Sequence, residues 1–586
     1  MGRFSWGASA KNRDMRVSRK DIPTSPVQEE AEAAKSGDYS TKGTLPKYVW
    51  VLGLFVTALF AYSIEVTPAR ISNAIWFNHL FSEYRPPRRT HMNLTHSRKS
   101  FLSKTVRDPI DLWSPPPDNG WKPCLIHTDF ESGSDNGYLQ VMCSGGLFQI
   151  HICVCNAVAV AKLVNATLLI PYFRKSLVWK DPSQFGDIYD TDHFIAYFEK
   201  DLRIVRQLPE EYAWSVPDLY AERCLERPNC LTYVRKHSTM NWYLEKVPPL
   251  LQTHGVAVLD GPTQYSGWDH KLTFEGLPVH ITQLRCRANF EGLQFVPAIQ
   301  EFGKLLVNRI RAKSLAVQSP NLAPQMTAPQ PWWSTQNNEE TLSGSEMLSG
   351  NSGDQVHRYL GLHVRFEKDM IAHSACYYGG GRAEKRALAA FRAKIWRGGV
   401  SKTRYKPEAL RMNGSCPLTP DEMGLLLSGL GFPISTPVYM ASKNLYGGVA
   451  RIKPLKEIFP ILESKYTLAS TKELRPFLPY SHKLAALDFL VLLNSDVFMS
   501  NAAGNFPNVL SGQRTFYGPR KSIHADKRLL AHLFSKSSIS WLEFSSQVTE
   551  GHLSRLGSPV RRMPKYSIFR YPAPDCMCQE PKQAVG

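Results

Sequence analysis

Residues 145–173 read "GGLFQIHICVCNAVAVAKLVNATLLIPYF". Two glycines open the stretch, and Ile150 to Leu163 continue as a helix of small and apolar residues. The chain turns at Asn165 into a short apolar run, Leu168 to Phe173. A glycine turn, a buried helix and a short apolar strand together mark an α/β unit. "HGVAVLDG", around Val256–Leu259, adds another short apolar run before a turn. Periodicity then disappears over residues 312–355, which are rich in Ser, Pro, Gln and Gly and read as a linker or surface insertion. It resumes with "RYLGLHVRF", "TPVYMAS" near Val438 and the helix-like "SHKLAALDFLVLLNSDVFMSN". Two α/β halves, 121–311 and 356–586, therefore flank an irregular stretch. Open sheets of this kind bind ligands in a crevice at the carboxyl ends of their strands.

Working outward, 586 residues with 43% hydrophobic content suffice for several cores. The formal net charge is +19, of which the first 47 residues supply only +3. A basic main body favours anionic partners such as nucleotide diphosphates and acidic glycans. Nucleic acid ranks lowest, because no Lys/Arg-rich run is interleaved with aromatics.

"YVWVLGLFVTALFAYSI", Tyr48 to Ile64, is 17 residues without a charge, the short end of what a spanning helix needs. Lys35, Lys42 and Lys47 precede it and Arg70 alone follows closely, so the N-terminus is expected to be cytosolic and the bulk luminal. The run starts too far from the N-terminus for a cleaved signal peptide. The expected order is a cytosolic tail (1–47), a signal-anchor (48–66) and a Pro-rich basic stem (67–120) before the two halves. Asn93, Asn165 and Asn413 lie in acceptor triplets for N-glycosylation, Asn165 between a helix pattern and a buried strand. All 11 cysteines follow the anchor, so disulfides are the default and the odd count leaves at least one thiol unpaired. Cys576 and Cys578 have no matching second pair for a metal and read as structural.

In "GLHVRFEKDM" the strand Tyr359–Leu362 carries His363, Arg365 and Glu367 toward one face at its end. Arg365 offers a planar fork that fits phosphate oxygens. An ion pair with Glu367 or Asp369 that closes the sheet end is the equal alternative.

These residues resemble the plant O-fucosyltransferase-like glycosyltransferases, relatives of the animal protein O-fucosyltransferases. "LHVRFEKDM" is similar to that family's central block and "CSGGLFQIHICVCNAVAVAKLVNATLLIP" to its Gly-rich motif. "DIYDTDHFIAYFEKDLRIVRQLP", "LRCRANFEGLQF", "VYMASKNLYGG", "LAALDFLVLLNSDVFMSNAAGNFPNVLSGQRTFYG" and "YPAPDCMCQ" follow in family order. The resemblance implies a GT-B-like fold of two Rossmann-like halves around a central cleft, and transfer without a metal or other cofactor. It implies a Golgi type II membrane enzyme whose default donor is GDP-fucose and whose acceptor is a glycan or protein hydroxyl. Some members use UDP-rhamnose on pectin, and a non-catalytic glycan-binding or scaffold protein could keep the same fold. By the same resemblance His363, Val364 and Arg365 face the donor diphosphate, with Arg365 stabilising the leaving group. Gly145 and Gly146 form the facing loop, and Asp496, Gly504, Asn505 and Phe506 fall in the nucleotide-holding stretch. Glu367 and Asp369 are the candidate bases. Two positions depart from the pattern. Phe148 stands where the family has Asn, and His151 where it has Arg.

Overall fold

The computed structural model describes residues 111–579 except 118, 128–135, 177, 213–230, 234–237, 261–274, 319–356, 397–398, 519 and 565. The tail, the apolar run Tyr48–Ile64, most of the stem and Asn93 lie outside the described residues. No helix among the described residues is long and apolar enough to cross a membrane.

Two parallel sheets carry the chain. The first half contributes β2 (Tyr138–Ser144), β3 (Thr167–Leu169), β4 (Tyr172–Arg174), β5 (Ile204–Val205), β6 (Leu231–Tyr233) and β7 (Val256–Asp260), in the order β5-β3-β2-β7-β6. β3 pairs with the start of β2 and β4 with its end. The break between them falls at Ile170 and Pro171, where proline has no N–H to give a ladder. The second half contributes β8 (Leu360–His363), β9 (Val438–Ala441), β10 (Leu462–Glu463), β11 (Val497–Ser500) and β12 (Lys521–Ile523), in the order β10-β9-β8-β11-β12. The chain thus runs from β8 toward one edge, then returns to the other side of β8. This is the doubly wound order, with its switch point between β8 and β11.

Helix α1 (Leu147–Leu163) explains why the opening stretch is apolar all round. Fourteen of its 17 residues are buried, because one side packs on β2 and the other meets the second half. It begins at Leu147, one turn earlier than the apolar pattern suggested. Helix α2 (Val279–Arg287) packs on α1. Helix α3 (Pro297–Gln318) runs straight through residue 312, where the irregular stretch was expected to start. It docks on the second half: Arg309 donates to the Leu468 carbonyl and to Glu473, and Arg311 to the carbonyls of His357 and Asn494. Short helix α4 (Lys368–Ser374) follows β8, helix α5 (Ser481–Leu493) precedes β11, and helix α6 (Asn505–Phe516) follows β11.

The end of the chain returns to the first half. β13 (Met577–Gln579) pairs antiparallel with β1 (Trp121–Pro123), and Cys286–Cys576 and Cys124–Cys578 tie it down. Cys576 and Cys578 are therefore structural, as the sequence suggested. Cys143–Cys153 and Cys376–Cys416 also form, and Cys155 is free and buried.

Candidate active site

The C-terminal ends of both sheets open onto one cleft of about 770 Å³. From the first half it receives the turn after β2 and Lys175, Ser176, Val178 and Trp179. From the second it receives the loops after β8, β9 and β11 and the start of α5.

The turn after β2 needs its glycines for different reasons. Gly145 sits at φ 123°, a conformation that side chains resist. Gly146 has an ordinary φ of −85°, but a Cβ there would lie 2.8 Å from the Trp179 indole. Its N–H donates to the Gln149 side chain, so it is already engaged within its own turn. Phe148 is 3% exposed and forms the cleft floor. Its ring stacks on Phe489 at 4.2 Å and meets Phe506 edge-on at 5.0 Å, while Phe506 stacks on His363 at 4.4 Å. An aromatic cluster spanning both halves thus fills the place of the family's Asn. His151 does not line the cleft. It is buried between Asn289, to which Nε2–H donates, and the Tyr189 hydroxyl, and burial pulls its pKa down to about 4.

Arg365 leaves the end of β8 with its backbone N–H held by Asn501 Oδ1 at 2.7 Å. Its guanidinium donates to Glu367 Oε2 at 2.8 Å and to Asp369 Oδ2 at 2.5 Å, and lies 4.8 Å from the Trp179 ring centroid. The side chain is 19% exposed. Glu367 is the N-cap residue of α4 and not a strand residue, so chain reversal, not strand alternation, brings it back to Arg365. Burial, together with neighbouring Asp369, raises the Glu367 pKa even though Arg365 opposes the shift. Burial works against the Arg365 charge, but the two carboxylates outweigh it and raise its pKa. His363 lines the cleft with Nδ1 2.9 Å from Ser500 Oγ, and burial, with Arg365 and Lys465 nearby, lowers its pKa to about 3. It is a neutral imidazole at ordinary pH.

Gly504, Asn505 and Phe506 line the cleft at the N-terminus of α6. The first amides of a helix have no intrahelical acceptor, and the helix dipole adds positive potential, so this end suits an anion. Two expected contacts are corrected. Asp496 precedes β11 at the opposite end of the sheet, where it accepts from the Tyr359 N–H at 2.9 Å and pairs with Arg311. Val364 is fully buried, its N–H bonded to the Ala441 carbonyl, and it points away from the cleft.

Two cleft features were not read from sequence. Lys465, 1% exposed, donates to Asp488 Oδ2 at 2.7 Å and to the Ser442 carbonyl at 2.9 Å. Asp488 was the detectable partner, a lone carboxylate inside the apolar helix "LAALDFLVLL". The second feature crosses the cleft: Asp181 of the first half accepts from His482 N–H at 2.8 Å and Ser481 Oγ at 3.1 Å, capping α5.

Comparison with known proteins finds relatives over most of the chain. A family model described as GDP-fucose protein O-fucosyltransferase matches residues 138–517. O-fucosyltransferase 39 of Arabidopsis thaliana is 40% identical over 90% of this chain and 98% of its own length. O-fucosyltransferase 31 of the same plant is 40% identical over 85% of this chain and 91% of its own. Among solved structures, POFUT1 in complex with GDP-fucose aligns over 68% of this chain and 99% of its own, at 12% identity and a TM-score of 0.33. The chain belongs to the GDP-fucose protein O-fucosyltransferase family and is a glycosyltransferase.

Proposed function

We propose that this protein is a Golgi type II enzyme with a GT-B-like fold that transfers fucose from GDP-fucose to a glycan or protein hydroxyl, with inversion and without a metal. The observation that carries the reading is the convergence, at the β8/β11 switch point, of Arg365 and the N-terminus of α6 on a single cleft. In this reading the donor phosphates lie between those two groups. A fixed cation and oriented amides stabilise the charge that grows on the leaving diphosphate. With Glu367 and Asp369 attached, the Arg365 cluster is net negative by one, so the helix end and the lining Lys175 and Lys443 supply the balance. Glu367 is the base for the acceptor hydroxyl, because its raised pKa brings it toward the working pH.

A specific observation favours an acidic acceptor. On the helix Gly381–Ile395, Arg382, Lys385, Arg386 and Lys394 are exposed, while its one acid, Glu384, is buried under the Tyr378 and Gly380 amides. The helix ends at Ile395 and Trp396 on the cleft lip. That surface fits pectin, with UDP-rhamnose as the alternative donor, and Phe148 is the feature that favours a non-catalytic glycan-binding protein.

The deciding experiment incubates the full chain with GDP-fucose, UDP-rhamnose and other nucleotide sugars, with neutral and acidic glycans as acceptors. GDP-fucose turnover is expected. Turnover of UDP-rhamnose alone selects the alternative donor, and glycan binding with no turnover selects the scaffold. Asn413, exposed just after a short helix, and Asn165, exposed just after α1, are proposed glycosylation sites together with Asn93. For topology, a tag after Gly586 should be protected from protease in sealed microsomes and a tag before Met1 digested.

A further inference from the structure

The segment Ser176–Asp181 belongs to the first half but is fastened to the second. The Ser176 hydroxyl accepts from the Val178 and Trp179 amides, and the Lys180 N–H returns to the Ser176 carbonyl at 2.8 Å. At its far end Asp181 caps α5, and Ser481 Oγ also reaches the Trp179 carbonyl at 3.4 Å. The Trp179 backbone is thereby fixed from both halves. Its indole lies so close to Gly146 that an added Cβ would come within 2.8 Å of the ring, and the Arg365 guanidinium is 4.8 Å from a ring centroid.

Each neighbour of Arg365 restrains a different freedom. Asn501 holds its backbone, and Glu367 and Asp369 each accept from one of its two terminal nitrogens. Two such anchors leave the guanidinium free to tilt about the line joining them. An aromatic face against the guanidinium removes that tilt.

We infer that Trp179 is a positioning residue that sets the plane of Arg365 for the donor diphosphate, and that Gly146 lacks a side chain to admit the indole. This rests on the proposed role of Arg365, which the test must be able to separate from it. If an incoming phosphate takes the place of a carboxylate on the fork, the carboxylate restraint changes while the Trp179 contact persists. The indole therefore acts where orientation decides the rate.

The test uses full-length variants, GDP-fucose turnover, and calorimetric binding of GDP and UDP. Trp179→Leu should lower kcat about 10–30-fold, the order a desolvated cation–π contact allows, with acceptor KM and Tm near parental values. Trp179→Phe keeps an aromatic face and should recover to within about threefold of the parent. Gly146→Ala should cause a similar loss by displacing the indole, and Gly146→Ala with Trp179→Phe should regain most of it, because the smaller ring leaves room for the methyl. The inference is overturned if Leu and Phe at 179 behave alike, if Trp179→Phe fails to rescue Gly146→Ala, or if losses only track unfolded protein. If the parent does not turn over GDP-fucose but UDP affinity follows the same order of variants, the donor reading fails and the positioning role stands. Absence of any nucleotide binding by the parent overturns both.

Discussion

The first half faces the cleft with Gly145, Gly146 and Phe148, the second with Arg365, Glu367, Asp369, Lys465 and Asp488. Each face is built around the same kind of element, the segment after a central strand of a parallel sheet (Gly145 and Gly146 after β2, Arg365 to Asp369 after β8), and the second adds Lys465 and Asp488 from helices. The first has become close backbone and aromatic packing, and the second a set of ion pairs. The difference teaches how the labour is divided. Most of the charge sits on the second half, on the segment after β8 and on Lys465 and Asp488 of its helices, while the first half supplies shape through α1 and Trp179 together with the lining cation Lys175. A charged pair in a partly buried cleft must be held by many partners, and the second half has them.

The largest effect is expected at Arg365. Arg365→Ala should lower turnover by about 10²–10³-fold, and Arg365→Lys by less, since charge without the fork remains. Because Glu367 and Asp369 then face each other unpaired, Arg365→Ala should also lose stability, though less than the roughly 3–5 kcal/mol of a fully buried pair. Adding Asp369→Asn, which relieves the facing carboxylates and leaves Glu367 in place, should restore Tm but not turnover. If turnover returns with Tm, Arg365 is only a structural partner and the charged face has no chemical role.

Next in size are two stability effects, one on each face. Lys465→Met leaves Asp488 buried without its cation and should cost roughly 3–5 kcal/mol by chemical denaturation, moderated by the Tyr439 hydroxyl that also donates to it. Phe148→Asn loses the stack on Phe489 and buries an amide, so a loss of roughly 3–5 kcal/mol is expected with no gain in GDP affinity. A clear rise in GDP affinity would mean that the aromatic floor limits donor use, and that the two faces share the polar work.

The smallest effect tests the interior of the first half. His151 has a folded pKa of about 4, below its unfolded value, so its stabilising contribution is full above pH 6.5 and lost as pH falls toward 4. His151→Gln removes that term. The stability difference between parent and variant should therefore shift by about 1.3 kcal/mol, in favour of the variant, between pH 7.5 and 5.5. An unchanged difference would mean that the buried imidazole takes up a proton as readily as in the unfolded chain.

Much of this was legible. The apolar stretch 145–173 announced a buried helix and strand, and "GLHVRF" announced a strand ending in charge, because burial and period leave direct marks on residue type. Asp496 misled because "DVFMSNAAGNF" is one block in sequence. In the fold, a strand of four residues, at roughly 3.3 Å each, separates its acidic start from its cleft end. The choice between phosphate clamp and ion pair for Arg365 could not be made from spacing, since both need the same residues.

The sequence by itself determined the α/β class, the two halves, the glycine turn and the candidate charged loop, all consequences of local pattern. Only the tertiary structure decided that Arg365 carries both carboxylates, that Lys465 meets Asp488, and that Asp181 and Trp179 of the first half brace the second. Those contacts join residues up to 301 positions apart. Sequence pattern records which face of an element is buried, but not which distant element buries it.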